Sequence, residues 1–303
     1  MRATLAGSVV TGLLDTRKVL DLHESGTTVV LQGLHRYWPP ITALVGELEQ
    51  ELGHPCQANA YLTPPGAQGF AEHADTHDVF VVQTAGRKQW ELHTDAGAEA
   101  LLLEPGMCLY LPTGTRHSAR TQQTLSLHVT IGVTQLTLAG LVRRAVADAL
   151  AAVPATHLPA GFLHQPDAVA ATLADALSAL AGRIASIDAS KAVETEIRRA
   201  LSTRPPRLGG GLLDRAALAD LSDDTVLERR EGHPCVLRPD GDRIAILLGD
   251  RVLDVPGWLG PALEHVCRVR CLTPADLAAE LDPQSRIVLC RRLVREGLLR
   301  VRR

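Results

Sequence analysis

The pattern of apolar and polar positions divides the chain into three stretches with different periods. Up to about Val133 the main signal is the two-residue alternation of strands. Val79-Phe80-Val81-Val82-Gln83 is β-rich, Thr84-Ala85-Gly86-Arg87 reads as a turn, and Lys88-Gln89-Trp90-Glu91-Leu92 alternates. Within this stretch Ile41, Leu44, Val45, Leu48 and Leu52 recur at helical spacing, and Gly53 stops the helix. From Leu136 to about Arg204 the period becomes helical. Leu138, Leu141, Val142, Ala145 and Ala149 form one stripe, Ala168 to Ile187 a second long helix, and Glu194 to Leu201 the tail of a third. Such helices must bury their stripes against a sheet core or a second subunit. A linker, Thr203 to Gly211, opens the last stretch. There Asp240-Gly241 marks a hairpin, and Thr273-Pro274-Ala275-Asp276 starts a helix. Gln284 to Glu296 follows as a helix stopped by Gly297, then Leu298 to Val301 as a short strand. The predicted organisation is 1–134, 135–204 and 205–303, the last winged-helix-like.

The chemistry concentrates in the first stretch. His73-Ala74-Asp75 on a strand places both side chains on one face, and His117 follows 44 residues after His73. Two histidines and a carboxylate make a facial set suited to non-haem Fe(II) that activates O₂. His77 shares that face if the strand stays regular; Asp75 is the nearer neighbour and the carboxylate such an iron needs. His128 is a further inward candidate, read as a pocket wall and a hydrogen-bonded core histidine rather than a fourth ligand. Lys88 shares the inward face with Trp90 and Leu92, and a buried ammonium calls for an anionic partner. A bound carboxylate, such as the far end of 2-oxoglutarate, would serve.

The run Gly106-x5-Pro112-x-Gly114-x2-His117 is similar to the second motif of cupin barrels, with Asp75 standing where the first motif carries its second histidine. Asn59-Ala60-Tyr61-Leu62-Thr63-Pro64-Pro65-Gly66-Ala67-Gln68-Gly69-Phe70, His73-x-Asp75, Gly86-Arg87-Lys88-x-Trp90 and Ser126 to Ile131 together resemble the JmjC-type ribosomal oxygenase family, over roughly residues 20–135. The resemblance implies an α+β chain: a double-stranded β-helix (cupin/JmjC jelly-roll) core, a helical region and a C-terminal winged-helix-like domain. It implies an Fe(II)- and 2-oxoglutarate-dependent dioxygenase using O₂ to hydroxylate an arginine or histidine of a ribosomal protein. His73, Asp75 and His117 would hold iron, Lys88 and Tyr61 would hold the C5 carboxylate of 2-oxoglutarate, and Asn59 and Thr130 would line the pocket. It also implies a homodimer through the helical region. Relatives place more residues ahead of Thr27 to Leu31, so completion of the outer sheet stays open. The alternatives are the same chemistry on a peptide or small molecule, and a non-enzymatic cupin regulator.

Composition narrows this little. At 46% hydrophobic and 21% charged the chain has an ordinary core, and a net charge of −3 gives no general pull towards nucleic acid or membrane. Arg286, Arg291, Arg292, Arg295, Arg300, Arg302 and Arg303 make the end basic; a solvated face is expected there, and direct nucleic-acid binding is not. The six cysteines form no C-x-x-C pair and read as reduced thiols. The start shows no signal-peptide pattern and no run reads as long and apolar enough for a bilayer, so a cytoplasmic protein is expected.

Overall fold

The computed structural model describes residues 2–5, 8–9, 16–95 and 97–302. In chain order come β1 (Arg2–Leu5), β2 (Ser8–Val9), α1 (Thr16–Glu24), β3 (Thr28–Leu31), α2 (Pro39–Leu52), β4 (Cys56–Thr63), β5 (His73–Ala74), β6 (Asp78–Ala85), β7 (Lys88–Thr94), β8 (Gly97–Leu103), β9 (Cys108–Leu111), β10 (Arg116–Thr121) and β11 (Ser126–Val133). They form a seven-stranded sheet, β2-β1-β3-β4-β11-β6-β9, and a four-stranded sheet, β5-β10-β7-β8. The pairs are antiparallel, and consecutive strands such as β6 and β7 belong to different sheets. This is the winding of the expected double-stranded β-helix. β1 and β2 extend the large sheet beyond β3, which answers how the outer sheet is completed.

Alternation decides what each strand face meets. Cys56, Ala58 and Ala60 of β4 and Val129, Ile131 and Val133 of β11 turn outwards and pack under Val45, Ile41 and Leu48 of α2. The small alanines let the helix come close, and complete burial of Val45 is worth roughly 2 kcal/mol. Val79, Val81, Trp90, Leu92, Leu103 and Leu111 form a second cluster. α2 begins two residues before the predicted Ile41, because Pro39 and Pro40 occupy first-turn positions whose N–H groups have no helical partner. Gly53 ends it with φ 69°, its N–H donating to Glu49 O at 3.2 Å. The buried Glu49 carboxylate accepts from Cys56 N at 2.9 Å and Arg207 Nη2 at 2.8 Å, tying α2 to the start of β4 and to the linker.

Leu136–Pro205 together with Leu247–Leu253 forms a compact unit of its own, and the remainder of the chain another. The former holds α3 (Leu138–Ala145), α4 (Ala147–Ala151), α5 (Pro166–Ala185) and α6 (Ala189–Ala200). Thr137 Oγ1 caps α3 through Gly140 N at 3.0 Å, Asp188 caps α6, and Arg144 Nε meets Glu196 Oε2 at 2.7 Å. α5 buries none of its residues; Leu173 and Leu177 stay more than half exposed. It is also long and apolar enough to cross a membrane by length and composition alone. That corrects the expectation that no run qualifies: alanines keep the stretch apolar although no block of large side chains stands out.

The last stretch contains α7 (Gly211–Ala216), β12 (Leu227–Arg229), β13 (Val236–Asp240), β14 (Arg243–Leu247), β15 (Val252–Pro256), α8 (Gly260–Arg268), β16 (Cys271–Leu272), α9 (Pro283–Arg295) and β17 (Leu299–Val301). Its sheets run β16-β12-β17 and β13-β14-β15, with Gly241 in the β13–β14 turn at φ 63°. The predicted helix at Thr273 is a single 3₁₀ turn, Pro274–Leu277; the Asp276 carboxylate accepts from Thr273 N at 2.7 Å. The basic end is neutralised in part: Arg286 pairs with Asp223, Arg292 with Glu296 and Arg300 with Glu228. Arg303 lies outside the described residues. Cys235 and Cys267 are paired as a disulfide with Cα atoms 6.2 Å apart, against the expectation of six reduced thiols. Tertiary packing brings a loop and α8 together there across a separation of 32 residues, which spacing alone does not reveal.

Candidate active site

Antiparallel pairing of β5 with β10 sets His73 directly opposite His117. This register closes the long gap in sequence and brings the two rings to 4.4 Å. β5 ends at Ala74, so Asp75 lies just past the strand rather than within it. Its carbonyl accepts from Gly114 N at 2.9 Å, in the turn before β10 where Gly114 takes φ 84°. Asp75 Oδ2 stands 3.9 Å from His117 Nε2. One ligand atom from each of His73, Asp75 and His117 falls within 4.8 Å of the others. Among the described residues this is the one such cluster.

The rings are aimed by the backbone. His73 Nδ1 donates to Ala71 O at 2.8 Å and His117 Nδ1 to Thr115 O at 2.9 Å. Each bond places the proton on Nδ1 and leaves the Nε2 lone pair for a metal. Burial lowers the His117 pKa, which favours the neutral, ligating form. His77 does not join the cluster. The strand breaks after Ala74, and an ideal Cβ on Gly132 would fall 2.6 Å from His77 Nε2, so His77 packs over β11 instead.

The cluster opens into a pocket of about 250 Å³. Lys88 lines it, is 2% exposed, and points inwards as the alternation predicts. Its Nζ donates to Thr63 Oγ1 at 3.0 Å, and Thr28 Oγ1 donates to the same oxygen at 3.1 Å. Burial lowers the Lys88 pKa to about 7. Among the described residues no carboxylate pairs with Lys88; a neutral hydroxyl takes that place. Tyr61 and Thr130 also line the pocket. Burial, then the Asp75 charge, raises the Tyr61 pKa. Asn59 is not among the lining residues: its Oδ1 accepts from Gly33 N at 2.9 Å, and its side chain hydrogen-bonds Tyr61. It stands behind the wall, not in it.

His128 is a pocket wall as expected, but not a satisfied one. It stacks on Tyr61 with centroids 4.8 Å apart and planes 2° from parallel, and meets Trp90 edge-on. Its Nδ1 and the Trp90 Nε1 are buried without a hydrogen-bond partner. Burial first, then Lys88, holds His128 well below its ordinary pKa, hence neutral. Sequence reading missed Thr63, Thr28 and Gly69. Parity with Tyr61 on β4 puts Thr63 on the inner face, but only the packing of the two sheets face to face shows that it meets Lys88.

Comparison with known proteins agrees with this geometry. A JmjC domain family model matches residues 43–102 and 94–141. The bifunctional lysine-specific demethylase and histidyl-hydroxylase NO66 of Branchiostoma floridae is 38% identical over 118 residues, 39% of this chain and 19% of that protein. Ribosomal oxygenase 1 of Rattus norvegicus is 32% identical over 137 residues, 38% of this chain and 23% of that protein. The chain thus spans about a fifth of the length of these curated relatives. The crystal structure of Escherichia coli ribosomal oxygenase YcfD matches 99% of this chain and 86% of that one, with TM-score 0.60 and 20% identity. A structure of YcfD with cobalt and 2-oxoglutarate matches 90% of this chain and 78% of that one, with TM-score 0.52 and 20% identity. The stretch 43–141 thus matches a JmjC domain in sequence, and the chain resembles the ribosomal oxygenase YcfD in fold.

Proposed function

We propose that this protein is a cytoplasmic Fe(II)- and 2-oxoglutarate-dependent dioxygenase that hydroxylates an arginine or histidine side chain of a ribosomal protein. The observation that carries the reading is Lys88. A buried ammonium that meets, among the described residues, a threonine hydroxyl and no anion is costly unless an anion arrives. It lines the same pocket as two histidines and a carboxylate in facial arrangement. The unpartnered Trp90 Nε1 and His128 Nδ1 in that lining also fit a polar guest.

His73, Asp75 and His117 would hold the iron, two through Nε2 and one through a carboxylate oxygen. Bound iron with 2-oxoglutarate and O₂ would supply an oxidation that yields succinate, CO₂ and a hydroxylated side chain. The protein's own part is positioning. The Ala71 and Thr115 carbonyls fix the two rings, and Gly114 N fixes Asp75. Lys88 would pair with the far carboxylate, with Tyr61 beside it as a hydrogen-bond donor. Val79, Val81 and Trp90 would add apolar lining to the pocket. Asn59 would act through Tyr61, and Thr130 by shaping the wall.

The exposed apolar face of α5 supports a homodimer formed through the helices, because a stripe of this length needs cover. The C-terminal helices and the small β16-β12-β17 sheet support the winged-helix-like reading, and their ion-paired arginines speak against nucleic-acid binding. The test is incubation with Fe(II), 2-oxoglutarate, O₂ and ribosomal proteins. One protein should gain a single oxygen atom with matching succinate. No succinate under any of these conditions would overturn the proposal.

A further inference from the structure

We infer that Gly69 is the residue that sets cosubstrate specificity at the Lys88 end of the pocket, by keeping the approach to the ammonium free of any side chain. This rests on the reading that the pocket takes 2-oxoglutarate. Gly69 lines the pocket beside Lys88. A Cβ added there would lie 3.4 Å from Lys88 Nζ, 3.5 Å from Ala119 O and 3.8 Å from Lys88 Cε. The position does not use the left-handed backbone that makes glycine necessary elsewhere, as at Gly66 with φ 67°. The distances are ordinary van der Waals contacts, so packing does not demand glycine either. What the missing side chain leaves open is the space beside the cation.

The segment carrying Gly69 has no room to retreat. Gly66 N donates to Gln122 O at 2.7 Å, Gly69 N to Ala119 O at 3.0 Å, and Thr121 N to Ala67 O at 3.0 Å. The buried Thr121 hydroxyl adds contacts to Pro64 O at 2.6 Å and Ala67 O at 2.9 Å. Residues 64–69 are thus laced to β10 and the residue after it. On the other side, the bond from Nζ to Thr63 holds the ammonium in place. A methyl at position 69 would therefore stay where a carboxylate must come within hydrogen-bond distance of Nζ.

The test is calorimetric titration of the full chain, loaded with Mn(II) without turnover, using 2-oxoglutarate as ligand. Gly69→Ala is expected to weaken binding by about tenfold or more while its melting temperature stays within about 3 °C of wild type. Unchanged affinity in a folded variant overturns the inference. Wild-type protein that binds no 2-oxoglutarate overturns instead the reading beneath it. If the variant melts early, titration at a temperature where both proteins are folded compares 2-oxoglutarate with oxalate, which lacks the distal carboxylate and does not reach Lys88. Gly69→Ala is then expected to lose about tenfold or more on 2-oxoglutarate relative to oxalate. An equal change for both ligands overturns the inference.

Discussion

Replacing Lys88 by methionine should make the metal-stripped protein more stable while removing its affinity for 2-oxoglutarate. Methionine keeps the length and most of the volume of the lysine chain. Thr63 Oγ1 loses one donor but keeps Thr28, so no buried acceptor is orphaned. Burial lowers Lys88 from its ordinary 10.5 to about 7. The unfolded chain therefore binds more protons than the folded one between these values, and stability of the wild type rises with pH through that window. At about 1.36 kcal/mol per pH unit, the buried ammonium costs up to about 5 kcal/mol below pH 7 and about 2 kcal/mol at pH 9. The methionine variant lacks this dependence. Urea unfolding at pH 6, 7.5 and 9 in the presence of a chelator measures it, since the other titrating groups are common to both proteins and burial, the larger cause, keeps His128 neutral in each. The variant should be more stable by about 2–5 kcal/mol at pH 6, with the gap closing as pH rises. A variant less stable than wild type at pH 6, or a gap that ignores pH, would refute the account of Lys88 as a buried cation awaiting an anion.

Asp75→Ala should abolish succinate formation and leave the melting temperature almost unchanged, because the backbone carbonyl that holds Gly114 N remains; retained turnover would remove Asp75 from the metal set. Asn59→Ala should cost about 1–2 kcal/mol in urea unfolding, through the lost Gly33 bond, and weaken 2-oxoglutarate binding far less than any change at Lys88. Arg207→Met should cost about 3–5 kcal/mol, because it removes one side of a buried ion pair with Glu49; a cost below about 1 kcal/mol would show that the pair is not what fastens α2 there. Leu173→Glu with Leu177→Glu should convert a dimer to a monomer in light scattering, and a wild-type monomer would end the proposal that α5 mediates association.

The barrel was readable from the chain because alternation is a local signal. Val79 to Leu92 announces two strands, and the parity of Lys88 with Trp90 correctly points the ammonium inwards. The clustering of His73, Asp75 and His117 was readable for a related reason: His73 and Asp75 are near neighbours, and the glycine–proline turn before His117 fixes where the next strand starts. What local pattern does not carry is register. That His73 faces His117 depends on how β5 pairs with β10, and that Thr63 rather than a carboxylate meets Lys88 depends further on how the two sheets face one another. Asn59 shows the same limit from the other side. Its parity with Tyr61 puts it on the inner face of β4, yet Gly33 N and the Tyr61 side chain claim its amide, and it ends behind the pocket. The Cys235–Cys267 pair and the uncovered face of α5 are likewise products of tertiary packing.

Three features of the pocket share one physical cause. Lys88 lacks the anion expected for it, His128 lacks the partner expected of a core histidine, and Trp90 keeps a buried donor unspent. Each is a polar group whose local position is sound and whose bonding is incomplete. A stable interior does not ordinarily leave several such groups in one small space. Each line of shortage faces the same cavity beside the His73, Asp75 and His117 cluster. The incompleteness is therefore best explained as preparation for a charged guest: the protein accepts a less stable empty state, and the lysine substitution measures by how much.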